Sequence, residues 1–337
     1  MMKTYLITGG AGFIGSNFIH YLMQKNRRNT FRIINLDVLA YCGNRDNVSC
    51  YEEYDNYRFL QGDVCDTKLV YSLFEAERID YVIHFAAQTH VDRSITQATE
   101  FAQTNVLGTL NLLNAANHFW QGDDRKTKRF LYVSTDEVYG DLPGVECFTE
   151  EYPPNPRNPY AASKAGAEMM VKAFYETHQL PVLITRCSNN YGPYQYPEKL
   201  LPLCIDYCLR GKELPIYGDG NNVRDWLYVE DHCSAIYIVL QKGELGEVYN
   251  IGGNHELTNL ELVAILGDIL AKEYGQPVSP IRFVADRKGH DSRYAINSEK
   301  LQKELGWRPI TDFSQGIRKT IRWYLENRAF LEHSRPE

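Results

Sequence analysis

Thr4-Tyr5-Leu6-Ile7-Thr8-Gly9-Gly10-Ala11-Gly12-Phe13-Ile14-Gly15 is the stretch that decides the fold. Thr4–Thr8 is a short β-rich run. From Phe13 to Lys25 the apolar residues recur at helical spacing. Gly9, Gly12 and Gly15 fall between the two. Glycine permits a tight turn and a close backbone approach, and the helix start, with Phe13 and Ile14, offers free N–H groups to a pyrophosphate. A second apolar run, Arg32–Leu36, ends at Asp37, 22 residues after Gly15. A carboxylate is expected about 20 residues on, where it accepts hydrogen bonds from ribose hydroxyls and repels a 2′-phosphate. The site therefore reads as one for NAD rather than NADP. Asp63 and Val64, after a third run, are placed against the adenine.

The pattern then repeats outward. Tyr57–Gly62, Tyr81–Ala86, Arg129–Ser134 and Pro181–Arg186 read as buried strands. Lys68–Glu77, Ala98–Phe119 and Pro159–His178 read as helices between them. Strands alternating with helices predict a parallel sheet covered on both faces, with ligands at the carboxyl ends of the strands. From Asn189 to Gly220 the composition shifts to Pro, Gly, Tyr and Asn, which predicts loops and short elements, with one helix at about Leu200–Leu209, rather than more sheet. Tyr228–Val239 and Val248–Ile251 read as segments returning to the first domain. Asn259–Glu273 and Ser298–Leu305 read as helices of a smaller lobe. The expected fold class is α/β, a doubly wound parallel sheet with a smaller mixed α/β substrate-binding lobe. Its division is 1–186, with return segments at about 225–252, and 187–224 with 253–330 as the lobe.

Composition narrows the partners. The 337 residues carry 36 Lys plus Arg against 43 Asp plus Glu, a net charge of −7. Nucleic-acid binding needs clustered basic residues, so a polymer partner is not expected. No stretch approaches the length of a membrane span. Met1 to Gly15 lacks the basic start and small-residue cleavage site of a signal peptide. The eight cysteines form no CxxC pair, and the Cys204/Cys208 spacing has no second ligand pair, so no metal is expected. Reduced cysteines and a cytoplasmic location follow.

Two clusters carry chemistry. Tyr160 and Lys164 stand four apart, on one face of a helix. A lysine ammonium and a positive nicotinamide ring beside a tyrosine favour the phenolate over its usual pKa of about 10. The phenolate then takes a proton from a sugar hydroxyl. Ser134 ends the preceding strand, and Thr135-Asp136-Glu137 follow it directly. Two adjacent carboxylates there suit paired acid and base work, or, in the plainer reading, a capped turn.

The sequence resembles the extended short-chain dehydrogenase/reductases, and within them the nucleotide-sugar 4,6-dehydratases that act on dTDP-glucose. The matching residues are Thr8–Ser16, His90-Val91-Asp92-Arg93-Ser94, Ser134–Gly140, Ser188–Pro193, Pro197-Glu198-Lys199-Leu200, Val223–Trp226 and Gly289-His290-Asp291. The resemblance implies a Rossmann-type fold and an NAD that stays bound and is regenerated in each turnover. It places Ala86, Ala87, Thr104, Ser134 and Asn190 with the residues above against the cofactor. It gives Tyr160 the 4-hydroxyl proton, Glu137 the C5 proton and Asp136 the departing 6-hydroxyl, with Thr135 on the 4-oxygen. Thr89, Asn189, Lys199, Leu200, Pro215, Tyr217, Arg224, Asn259, Asp286, Arg287 and His290 are assigned to the sugar nucleotide. Lys199, Arg224 and Arg287 neutralise its pyrophosphate. A homodimer through the helices Ala98–Phe119 and Pro159–His178 is also implied.

Two positions depart from the family pattern. Ala86-Ala87-Gln88-Thr89 replaces the usual Ala-Ala-Glu-Ser and resembles the UDP-glucose-type enzymes. Lys288 stands where the family carries proline. The other readings of the same fold are a dehydratase for UDP-glucose or another nucleotide sugar, a sugar-nucleotide 4-epimerase, which does not need the Asp136–Glu137 pair, and a non-catalytic NAD sensor, which does not need Tyr160 and Lys164.

Overall fold

A computed structural model describes residues 2–26, 29–142, 144 and 146–334, with the side chain of His333 excepted. The chain opens with β1 (Lys3–Thr8), α1 (Phe13–Lys25), β2 (Phe31–Asp37), β3 (Tyr57–Gln61), α2 (Thr67–Glu77) and β4 (Tyr81–His84). Next come α3 (Val91–Thr96), α4 (Ala98–Phe101), a π-helical stretch at Ala102–Gly108, α5 (Thr109–Phe119) and β5 (Arg129–Thr135). α6 (Pro159–His178) and β6 (Val182–Cys187) follow. With β10 (Val248–Ile251), six of these strands form a seven-stranded sheet ordered β10-β6-β5-β4-β1-β2-β3, every pairing parallel.

Apolar side chains fill both faces of that sheet. Phe18, Ile19 and Leu22 of α1 pack on one face with Ile236 and Val239 of α8 (Val229–Lys242). Leu112, Ala116, Ala167 and Val171 of α5 and α6 pack on the other. The sheet order reverses between β1 and β4, so the loops after these two strands splay apart and leave a crevice at their carboxyl ends.

The second lobe contains more strand than its composition predicts. β7 (Asn189–Tyr191), β9 (Val223–Tyr228), β11 (Glu256–Thr258) and β13 (Arg293–Tyr294) form one small sheet around β9. β8 (Leu214–Tyr217) and β12 (Ile281–Val284) pair as another. The expectation of loops over 189–220 is corrected here. Strands of two to six residues are too short for an alternation signal, and Ile281 and Phe283 of β12 are exposed rather than core. α7 (Leu200–Arg210), α9 (Asn259–Tyr274) and α11 (Phe313–Glu326) enclose the lobe's own core around Leu201, Ile205, Leu266 and Ile317.

α10 (Glu299–Leu305) sits elsewhere. Its Leu301, with Trp307 beyond it, packs into the α1/α8 flank of the large sheet rather than into the lobe where the sequence placed this helix. α12 (Arg328–His333) closes the chain against α11. Among the described residues no helix is long and apolar enough to cross a membrane.

Candidate active site

The glycine turn is built for close approach. Gly9 has φ +72°, and a Cβ there would lie 2.6 Å from the Ala86 backbone nitrogen. A Cβ on Gly15 would lie 2.3 Å from the Gly9 carbonyl oxygen. Gly12 stands at the N-cap of α1 with no side-chain cap, which leaves the first turn of the helix to face a ligand. The turn forms one wall of a cavity of about 430 Å³. All the sequence-predicted cofactor residues line it: Gly9, Gly12, Phe13, Ile14 and Gly15, then Asp37, Asp63 and Val64, then Ala86, Ala87 and Thr104, and finally Ser134, Tyr160, Lys164 and Asn190. Asp37 Oδ2 accepts from Ala11 N at 2.9 Å and Oδ1 from Leu39 N at 2.8 Å, which fixes the carboxylate beside the glycine turn. Among the described residues the buried Ser134 Oγ has no hydrogen-bond partner. A cradle without room for Cβ atoms, an uncapped helix start and an unpartnered hydroxyl at a strand end fit a dinucleotide.

A second cavity, of about 360 Å³, opens between the lobes. Asn189, Lys199, Leu200, Pro215, Tyr217 and Arg224 line it, with Asn259, Arg287 and His290. Three residues assigned to the sugar nucleotide lie elsewhere, Thr135 in the first cavity among them. Asp286 is not in the second cavity's wall; its carboxylate holds His290 Nδ1 at 2.7 Å and so acts through that ring. Thr89 lines the first cavity, as does Gln88. Both positions of the Gln-Thr departure from the family pattern therefore lie on the first cavity, which Thr135, Asp136 and Lys199 also line.

Glu137, Asn189, Asn190, Glu198 and Lys199 line both cavities, so the two meet at Glu137. β5 ends at Thr135 and delivers Asp136 and Glu137 to that junction in a single 3₁₀ turn, with Glu137 N donating to Thr135 Oγ1 at 3.3 Å. The adjacent carboxyls have different surroundings. Asp136 is buried and its Oδ2 is unpartnered. Burial, then the like charges of Glu137 and Asp225, push its pKa well above the usual carboxylate range, which favours the neutral acid. Burial also raises Glu137, but Lys199, Arg224 and Arg287 and a hydrogen bond from Asn158 oppose it. The Asn158 amide donates to Glu137 Oε2 at 3.3 Å while its Oδ1 caps α6 at Ala161 N.

Tyr160 stands at the start of α6, which Asn158 and Pro159 fix. Burial, followed by the Glu137 charge, holds its phenol well above its ordinary pKa, with a hydrogen bond to Thr135 acting the other way. The Lys164 ammonium donates to the Val133 carbonyl at 2.8 Å and lies 4.3 Å above the Tyr132 ring. Burial brings Lys164 itself down to about 8. Within the chain alone, Tyr160 is a neutral phenol.

Several site residues escaped the sequence reading. Glu198, His90 and Asp92 appeared there only inside matching motifs. Glu198 receives the Tyr41 hydroxyl at 3.2 Å and lies 3.4 Å from His90 Nε2. Asp92 takes both Nε and Nη2 of Arg287, at 2.6 and 3.0 Å. Asn158, just ahead of the Pro159–His178 helix, was not singled out. Among the described residues no cluster of His, Cys, Asp and Glu is fit to hold a metal ion.

Comparison with known proteins agrees with this geometry. The family model described as GDP-mannose 4,6 dehydratase matches residues 6–320. The dTDP-glucose 4,6-dehydratase of Xanthomonas campestris pv. campestris (strain B100) is 50% identical over 339 residues, covering 98% of this chain and 95% of that protein. The enzyme of the same name from Neisseria gonorrhoeae is 47% identical, with 97% of each covered. A crystal structure of the Streptomyces venezuelae dTDP-glucose 4,6-dehydratase, with NAD bound, superposes with a TM-score of 0.91 at 46% identity, covering 98% of this chain and 100% of that one. A UDP-glucose 4-epimerase from Thermotoga maritima shares the fold at a TM-score of 0.85 but only 29% identity, with 96% and 99% covered. Matched along nearly its whole length, the chain belongs to the GDP-mannose 4,6 dehydratase family, and within it to the dTDP-glucose 4,6-dehydratases.

Proposed function

We propose that the joined cavities convert dTDP-glucose to dTDP-4-keto-6-deoxyglucose and water, with NAD as a resident cofactor that ends each turnover as it began. The observation that carries this reading is the unequal environment of Asp136 and Glu137 where the two cavities meet. NAD supplies the hydride acceptor for C4, the hydride donor for C6 and, while oxidised, a positive ring beside Tyr160. The chain moves the protons. Tyr160 takes the proton of the 4-hydroxyl, and Thr135 holds the 4-oxygen. The C4 ketone acidifies the C5 proton, which Glu137 removes, its carboxylate favoured by Lys199, Arg224 and Arg287. Asp136, kept neutral by burial, protonates the departing 6-hydroxyl as water. After reduction at C6, Glu137 returns its proton to C5, and the proton collected by Tyr160 replaces the one Asp136 lost.

Arg224 and Arg287 are presented to the diphosphate on aromatic supports, 4.2 Å above Tyr294 and 5.1 Å above Tyr217. An epimerase would use Tyr160 and Lys164 but has no task for the carboxyl pair. Exposed Leu107, Met169 and Met170, on the π-helical stretch and α6, support pairing of these helices in a homodimer. Eight unpaired cysteines support a cytoplasmic setting. The large sheet with its helices is taken as the cofactor domain and the β9 sheet with α7, α9 and α11 as the substrate lobe. Incubation with dTDP-glucose is expected to yield the alkali-induced absorbance of a 4-keto sugar. No such signal with dTDP-, UDP- or CDP-glucose would overturn the reading.

A further inference from the structure

A cofactor reduced and reoxidised on one sugar must not leave within a turnover. Beside the glycine turn, part of the cavity's wall comes from two segments far apart in the chain. Ala40, Cys42 and Gly43 follow β2, and Tyr196, Glu198 and Lys199 precede α7 in the other lobe. The two segments meet through side chains.

Tyr41 sits in the first segment and points to the second. Its hydroxyl donates to Glu198 Oε1 at 3.2 Å, and its ring meets Tyr196 edge-on at 5.7 Å. The Glu198 side chain is only 8% exposed. Its other oxygen lies 3.4 Å from His90 Nε2, and Lys199 Nζ lies 3.6 Å from Oε1. Lys199 in turn donates to the Thr89 carbonyl at 3.2 Å, and the Thr89 side chain hydrogen-bonds Tyr41. The Arg93 guanidinium covers the Tyr41 ring at 4.7 Å. The β2 loop, the end of β4 and the start of α7 are thus tied through one buried carboxylate. A buried carboxylate with several partners is costly to separate from them, because each freed polar group must find a replacement.

We propose that Tyr41 and Glu198 form a clasp across the cofactor cavity that sets how long NAD stays bound. The clasp rests on the reading of the cavity as an NAD site and adds to it two positioning residues. They act on retention, not on the reacting atoms.

The test is NAD release from the loaded full-length chain, without sugar nucleotide. Protein is saturated with NAD and desalted, and the NAD still bound is measured over time after acid release. Tyr41→Phe removes the hydroxyl and keeps the ring, and is expected to release NAD about tenfold faster, the size of one hydrogen bond to a charged group. Glu198→Gln removes the charge at the other end of the same contact and is expected to act likewise. If one variant does not fold, the other still tests the clasp. The double variant is expected to release no more than about twofold faster than the faster single variant, because both remove one interaction. Release at the parent rate in both single variants, or fully multiplicative effects in the double, overturns the clasp and leaves the dehydratase reading intact. A parent chain that binds no NAD overturns both.

Discussion

Asp136 and Glu137 are neighbours in sequence and burial raises both, but like charges add to it at Asp136 while Lys199, Arg224 and Arg287 oppose it at Glu137. Glu137→Gln keeps the shape and removes the base. It is expected to lower turnover by about 10²–10⁴-fold, the usual contribution of a positioned base. Oxidation at C4 needs no base at C5, so NADH absorbance should still appear on adding dTDP-glucose. Normal dehydration by this variant would remove Glu137 from its role. Asp136→Asn should also lose activity, but gain stability. The folded chain raises the pKa of Asp136, so the native state holds its proton more tightly than the unfolded one. Such a group weakens the fold as pH rises above the unfolded value of about 3.9. Asparagine carries no such penalty. Its Tm should therefore exceed the parent's by a few degrees at pH 7 and approach it near pH 4, as thermal denaturation at the two pH values would show. A lower Tm at neutral pH would contradict the account. The pair itself was legible in the sequence, and the family resemblance named Asp136 as the acid; the two residues alone did not, since that depends on Asp225, Arg224 and Lys199, all distant in the chain. Nor does spacing show how burial and the Glu137 charge act on Tyr160. Spacing places Lys164 on its helix face and does not show that the Val133 carbonyl engages the ammonium.

The elements of the large sheet were legible because each has a strong local signal. α1 and α6 fall on the helical ranges read from the sequence, the first bounded by glycine and the second by Asn158 and Pro159. The helix read as one piece over Ala98–Phe119 is a π-helical stretch between two α-helical pieces. A single π turn leaves the apolar pattern on either side intact, so periodicity passes over it. It sets Asn105 to hold the Gln88 backbone and the Ser163 hydroxyl together, joining the cofactor wall to the Tyr160 helix. The glycine turn supplies the test at this scale. Gly9→Ala places a methyl group against the Ala86 backbone at a positive φ, and neither can yield cheaply. NAD affinity should fall at least about tenfold, together with a lower Tm, measured by titration and thermal denaturation. Unchanged affinity would mean that the turn does not cradle the dinucleotide.

Across the whole molecule, the site exists only where two lobes meet. The glycine turn, Tyr160 and the carboxyl pair come from the large sheet. Lys199, Arg224 and Arg287 come from the lobe whose strands the sequence did not reveal. Arg287 reaches back to Asp92 on α3, so the small lobe is tied to the large one through one of the cations of the second cavity. Bulk charge conceals this, because a net −7 says nothing about three cations converging on one cavity. The central claim is that oxidation, dehydration and reduction occur on one bound sugar with one retained cofactor. Turnover of dTDP-glucose deuterated at C4, followed by NMR of the product, tests it most directly. The account predicts deuterium at C6 of a 4-keto-6-deoxy product, and none in free NADH. Deuterium retained at C4 of an epimer, or released with the cofactor, would contradict it.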